Sequence, residues 1–245
     1  MNKWKDRVYA LYMSNGFADA HNMKKEFELH SRYFKKNYLK YMPKDKNKSI
    51  LDLGCGMGHF LYFCQECGYK NCIGIDASKE NIDFISRRGT VRVYHSSIID
   101  FLNDKEECFD VIILNDVIEH LTKEEIFAVL DAVMKAMRKG GVFIVKTPNM
   151  ANPFVSTAGR YIDITHEVGF TEASMRQVLR ATGFKNIDIV GTDVYVLNPI
   201  ISIIAKVLSK IINLFLYILS ALYGRTSLKI FEKDILAVAY KEEKR

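Results

Sequence analysis

The sequence predicts a doubly wound α/β fold: a mostly parallel, seven-stranded sheet with an amino-terminal helical cap and an apolar helical insertion before its last strand. Three observations predict it. From Ser49 onward, short runs rich in Val, Ile and Leu alternate with segments of helical period, the order that puts helices on both faces of a parallel sheet. The first of these runs ends in a glycine turn, LDLGCGMG, at the place where an open α/β sheet binds its ligand. The final run, ILAVAY, lies beyond a long apolar segment and supplies the last strand.

Residues 1–48 carry aromatics at helical intervals, Tyr9 with Tyr12 and Tyr33 with Phe34 and Tyr38, and close on the polar run PKDKNKS. They form the expected cap, with two or three helices. The core, 49–196, follows as strand SILDLG, a helix through Cys67, strand NCIGID, a helix to Arg88, strand VRVYHS, a short helix and strand FDVIILND. A helix over Lys123 to Met137 is stopped by Lys139-Gly140-Gly141, and VFIVKT is closed by Pro148. A loop from Asn149 to Phe170 leads to the helix TEASMRQVLRATG and the strand NIDIV. The insertion covers 197–226, and 227–245 hold the last strand and a tail.

A chain of 245 residues, 49% of them hydrophobic, buries a full core and is not a disordered protein. The start, MNKWKDRVYA, has no apolar run behind its lysines, so no secretory signal is read and a cytoplasmic location is expected. Five cysteines at irregular spacing suit a reducing compartment. Cys64 and Cys67 form a CxxC, but no second pair completes a zinc set, and buried thiols are expected. The formal charge of +6 favours anionic partners without choosing among them. Neither a basic stripe nor stacking aromatics point to nucleic acid.

In the turn Gly54, Gly56 and Gly58 the spacing is GxGxG, and a dinucleotide fingerprint would need its third glycine at His59. Asp52, within the strand just before, would repel a pyrophosphate and favour a ligand carrying an ammonium or sulfonium group. Asp76 ends the second strand in IGIDAS, where its carboxylate can accept from both hydroxyls of a ribose. With FDVIILNDVIEHL, these motifs resemble those of the class I S-adenosylmethionine-dependent methyltransferases over about Ser49 to Lys146. The resemblance implies the Rossmann-like fold of that family and S-adenosylmethionine as cofactor, leaving as S-adenosylhomocysteine. It implies that Asp52 and the Gly54, Gly56 and Gly58 backbone hold the methionine part, and that Asp76, with Ala77 beside it, holds the ribose. In HSSIIDF, Ser97 stands where many members have Asp, Ile98 packs on the adenine, and Asn115 lines the methionine side.

Methyl transfer to an alcohol requires alignment of the acceptor and a base. In NDVIEHL, Asp116, Glu119 and His120 fall at i, i+3 and i+4, toward one face of a helical turn. In YIDITHEVGFT, Asp163 and His166 sit in a loop that can reach the same cleft. His166 or His120 is the expected base, with Asp163 or Glu119 orienting the ring. A divalent metal on Asp116, Glu119, His120 and His166 is the less favoured expectation; it resembles the ligand set of metal-dependent RNA 3′-end and ubiquinone-pathway O-methyltransferases, with Asp116 where a Glu is usual.

The tyrosine-rich cap, DITHEVGFT and the ending FEKDILAVAY resemble bacterial methyltransferases of glycan assembly. That resemblance implies a sugar, nucleotide-sugar or glycan acceptor in capsule or other polysaccharide biosynthesis, with Tyr9, Tyr12 and Tyr33 against sugar faces. A quinone-pathway or small-phenol O-methyltransferase and a non-catalytic cofactor-binding subunit are the alternatives. In 200–223, Ser202, Lys206, Ser209, Lys210, Asn213, Tyr217 and Ser220 fall on one helical stripe, and the rest is apolar. Such a helix buries its apolar face on its own core, in a homodimer, or at the inner face of a membrane; a transmembrane span is not expected, the uncharged run Ile211 to Gly224 being short.

Overall fold

The computed structural model describes residues 3–9, 23–89, 91–193, 198–225 and 228–242. Helices α1 (Lys3–Tyr9) and α2 (Met23–Asn37) precede the sheet, followed by a 3₁₀ turn at Leu39–Tyr41. Then come β1 (Ser49–Leu53), α3 (His59–Glu66), β2 (Asn71–Asp76), α4 (Lys79–Ser86), β3 (Arg92–His95), α5 (Ile98–Leu102), β4 (Phe109–Asn115), a 3₁₀ turn at Ile118–His120, α6 (Lys123–Ala136) and β5 (Met137–Pro148). The chain continues with α7 (Pro153–Tyr161), α8 (Glu172–Ala181), β6 (Asn186–Gly191), α9 (Pro199–Leu222) and β7 (Asp234–Tyr240).

The seven strands pair in the order β3-β2-β1-β4-β5-β7-β6. β1 to β5 are parallel to one another, and β7 runs antiparallel between β5 and β6. The chain reverses direction across the sheet between β1 and β4, and this switch point opens a crevice at the carboxyl ends of the strands. Side chains alternate between two cores. Ile50, Val111 and Ile113 pack against α2 and α3 through Phe34, Phe60 and Phe63. Leu51, Ile112 and Leu114 pack against α6 and α8 through Leu130, Val133 and Met175.

Two expectations are corrected, and one of the alternatives left open for the insertion is removed. The Lys139-Gly140-Gly141 signal does not end α6, which stops at Ala136; the sheet claims the following residues, with Gly140 N donating to Lys241 O (2.9 Å) and Lys241 N to Gly141 O (3.1 Å). The loop expected over 149–170 contains α7, started by Asn152, whose side chain accepts from the amides of Phe154 and Val155, and by Pro153 in the first turn. The insertion is one helix of 24 residues, yet its apolar face is not buried on the core: only Ser202 and Leu216 are buried among its described side chains.

The cysteines form no disulfide, and Cys55, Cys64 and Cys72 are buried. Tyr12, expected at the acceptor, lies outside the described residues, as does the side chain of Tyr9.

Candidate active site

A cavity of about 970 Å³ runs along the carboxyl ends of β1, β2, β4 and β5 under α2. One end is formed by the glycine turn. Gly54, Gly56 and Gly58 have φ of +73°, +52° and +85°, the left-handed region that a side chain disfavours. A methyl group on Gly54 would collide with Val117, whereas one on Gly56 would meet nothing and project into the open crevice. Asp76 at the end of β2 accepts from Gly56 N (2.8 Å) through Oδ2, and from Ser78 N (2.8 Å) and Asn81 Nδ2 (3.2 Å) through Oδ1. Burial raises its pKa against these hydrogen bonds.

Asp52 is 2% exposed and lines the same end of the cavity. Its carboxyl accepts no hydrogen bond among the described residues, and burial, with Asp76 behind it, pushes its pKa up to about 8. A cation brought into the cavity would reverse that penalty. Ala77, Ser97 and Ile98 line the cavity beyond Asp76. The Ser97 hydroxyl is taken by Asp100, as acceptor from its amide (3.1 Å) and donor to Oδ2 (2.6 Å), so Ser97 caps α5.

The other end is richer in charge than the sequence suggested. Asn115, at the tip of β4, accepts from Tyr38 Oη (2.6 Å), a fully buried residue of the cap. Asp116 has φ +52°, and its carboxylate pairs with Lys146 at the end of β5. Burial pulls the Lys146 pKa down, but Asp116, Tyr33 and Asp234 more than reverse it, so Lys146 is held as a cation. Burial pushes Tyr33 up to about 12. His30 and His59 stack at 4.2 Å, with Glu26 Oε1 3.5 Å from His59 Nε2. Burial lowers both imidazoles, His59 to about 3, so both are neutral. All of these groups line the cavity except Tyr38.

Glu119, His120 and His166 converge beside it, but only His120 of the three lines the cavity. Glu119 is buried, accepts from Thr147 Oγ1 (3.0 Å), and is raised to about 8 by burial and by Asp116. The amides of Glu167 and Val168 donate to its carbonyl (2.7 and 3.1 Å), tying the loop before α8 to this turn. Thr165 Oγ1 donates to Asp163 Oδ1 (2.6 Å), so it accepts from His120 Nδ1 (2.6 Å). His120 is thereby fixed as the Nδ1–H tautomer, and burial and His166 lower its pKa to about 4. His166 likewise spends Nδ1 on Gly159 O (2.6 Å), its ring lying 4.6 Å from that of His120. Lys5 Nζ donates to the His120 carbonyl (2.7 Å) and ion-pairs with Glu167 (3.1 Å), fastening α1 over the turn.

The expected acids and histidines therefore divide. Asp163 reaches His120 only through Thr165, His166 contacts the cavity only through His120, and Asp116 leaves the expected metal quartet to pair with Lys146. The helical turn expected for NDVIEHL does not form at Asp116, because its left-handed φ turns it away before the 3₁₀ turn begins.

A family model described as "Methyltransferase domain" matches residues 21–189. The chain belongs to this methyltransferase domain family. It is 32% identical over 120 residues to the ubiquinone biosynthesis O-methyltransferase of Bartonella quintana, 47% of each chain. The chain spans about half the length of the curated relatives it matches. Its fold is similar to that of an S-adenosylmethionine-dependent methyltransferase from Archaeoglobus fulgidus, with TM-score 0.66 at 21% identity, covering 91% of this chain and all of that one. It is also similar to the 1,6-didemethyltoxoflavin-N1-methyltransferase of Burkholderia thailandensis, solved with 1,6-didemethyltoxoflavin and S-adenosylhomocysteine, with TM-score 0.59 at 15% identity, covering 98% and 90%. The fold is the Rossmann-like one of the methyltransferases, a class whose cofactor is S-adenosylmethionine.

Sequence reasoning missed His30, His59, Lys146 and Asp234. A lysine at the end of VFIVKT, a run otherwise fit for a buried central strand, was the available signal.

Proposed function

We propose that the protein is an S-adenosylmethionine-dependent O-methyltransferase acting on a hydroxyl of a small aromatic acceptor, of the phenol or quinol class. The observation that carries this reading is the single cavity that joins Asp52, the glycine turn and Asp76 to His120. Asp76 accepts from the ribose hydroxyls and Ile98 packs on the adenine. Asp52, buried and without a partner for its carboxyl among the described residues, meets the positively charged methionine end. Asn115, held by Tyr38, lines the sulfonium side.

Held there, S-adenosylmethionine would supply its methyl group to an acceptor oxygen aligned behind it and would leave as S-adenosylhomocysteine. The hydroxyl proton passes to His120 Nε2, the ring nitrogen left free by the Thr165 hydrogen bond. Asp163, acting through Thr165, stabilises the imidazolium that results. Tyr33, Leu29 and Phe34 give the acceptor end an aromatic and apolar wall. That wall and the names of the relatives favour a phenolic ring over the sugar expected from the sequence.

A second reading rests on one observation: among the described residues nothing hydrogen-bonds Nε2 of His120 or of His166, and these two rings and Glu119 offer ligand atoms within 4.8 Å of one another. Three residues of the expected quartet thus fit a divalent cation, and Asp116 does not. Such a cation, when bound, lowers the pKa of a hydroxyl placed on it. Release of S-adenosylhomocysteine is the test, with catechols, simple phenols and nucleotide sugars, with and without chelator. Turnover of phenols that survives chelation is expected. Turnover of sugars alone would overturn the acceptor class, and loss of all turnover with chelator would replace the base by the metal.

A further inference from the structure

We infer that α9 lies in the plane of an anionic phospholipid surface and docks the protein there, with the acceptor end of the cavity toward the lipid. A helix on a protein surface ordinarily turns its apolar stripe inward and its polar residues to water. α9 does the reverse. Its less exposed side carries Ser202, Ser209, Asn213 and Ser220, while Ile203, Ile211 and Phe215 stand 64%, 59% and 62% exposed. Exposed apolar side chains run from Ile200 to Tyr223, an area far beyond the scattered apolar surface of a water-soluble face.

A second exposed apolar group lies on and after α7. Phe154, Tyr161, Ile162 and Ile164 on and after α7 are each more than two-thirds exposed. The segment leaving α9 is bound to the start of α7, with Asn149 Nδ2 donating to the carbonyls of Ile230 and Glu232 (2.9 and 3.0 Å) and Asn152 Nδ2 to that of Phe231 (2.6 Å). Both groups therefore rise from the carboxyl edge of the sheet.

Charge names the occupant. Between Val194 and Phe231 the sequence has no acid and four cations, Lys206, Lys210, Arg225 and Lys229. A basic segment with a broad apolar face matches an anionic bilayer surface. By length and composition α9 could cross a membrane, since Ile200–Leu222 is long and apolar enough. Its connections forbid it. Gly191 at the end of β6 pairs with Ile235 at the start of β7, so both ends of the insertion return to one place. A span would force 223–233, with Arg225, Lys229, Glu232 and Lys233, back through the hydrocarbon without helical hydrogen bonding. The helix lies flat instead. At its roots, Thr192, Asp193, Lys233 and Asp234 line the cavity, which sets the acceptor mouth at the docked surface. This orientation rests on the proposed function; the docking does not.

The test is co-sedimentation of the full chain with vesicles of phosphatidylcholine alone or mixed with phosphatidylglycerol, beside its mass by light scattering and S-adenosylmethionine binding by calorimetry. We expect sedimentation with the anionic vesicles, weakened by salt. The outward triple variant Ile204→Glu/Ile211→Glu/Phe215→Glu abolishes it with cofactor binding and melting temperature unchanged. Lys210→Gln, Arg225→Gln and Lys229→Gln each weaken it about fivefold. Failure to bind either vesicle would overturn the proposal. So would binding that survives the triple variant, or a dimer that the triple variant dissociates and that ignores lipid. Intact cofactor binding in these cases leaves the proposed function standing.

Discussion

At one end of the cavity, Asp52, the glycine turn and Asp76 come from adjacent strands and the turn between them within residues 52–76; at the other, His30, Tyr33, Asp116, Lys146 and Asp234 come from α2, the turn after β4, β5 and β7, spread over residues 30–234. The first end is made largely of backbone. Its glycines approach closely because they lack side chains, and Asp76 is oriented by three local donors. The second end is made of side chains that compensate one another, Lys146 standing between Asp116 and Asp234. A ligand of fixed structure can be held by fixed backbone, while the acceptor end can change its residues without disturbing the turn.

The largest effect expected is on that compensation. Lys146→Met leaves a buried Asp234 and a half-exposed Asp116 without their cation and should cost about 3 kcal/mol of stability, the low end for a broken buried pair because water screens Asp116, measured by urea unfolding, with partial recovery on adding Asp234→Asn. Gly54→Ala should follow at roughly 3 kcal/mol, from a left-handed φ and the collision with Val117, and it should weaken cofactor binding as well. Equal stability of either variant and the parent would break the contrast between the two ends.

Catalysis sharpens it. His120→Gln should lower kcat by about 10²–10⁴-fold with cofactor affinity unchanged. Thr165→Val, which leaves the ring in place but releases it from Asp163, should produce a smaller loss and move the pH profile of kcat to lower pH, since Asp163 raises the His120 pKa. A Thr165 variant indistinguishable from the parent would remove Asp163 from the relay.

Stability as a function of pH gives the most diagnostic effect. Asp52 and Glu119 are raised from 3.8 and 4.5 to about 8, so the folded chain holds protons that the unfolded chain has lost. Protons bound preferentially by the folded state make stability fall as pH rises from about 4 to 8. Asp52→Asn should flatten that fall for the unliganded protein, and saturating S-adenosylmethionine should flatten it for the parent.

The same contrast explains what could be read from sequence. The strands, the glycine turn, Asp52 and Asp76 are local patterns, since strand period, left-handed glycines and an acid at a strand end are each written within a few residues. The acceptor end depends on register between distant elements. Lys146 meets Asp116 because β5 pairs with β4, and Asp234 joins them because β7 pairs with β5. His166 looked near the cleft because its loop is, but the Gly159 carbonyl fixes its ring behind His120. The orientation of α9 was not legible either, because a stripe of polar residues states a helix face without stating which side meets the protein.

Calorimetric titration of S-adenosylmethionine into the parent, Asp52→Asn and Asp76→Ala most directly tests the claim that this cavity holds the cofactor by its strand-end carboxylates. Tight binding by the parent is expected, with affinity lower by about 10- to 100-fold in each variant, the loss of hydrogen bonds to a charged group. Binding by both variants as tight as by the parent would contradict it.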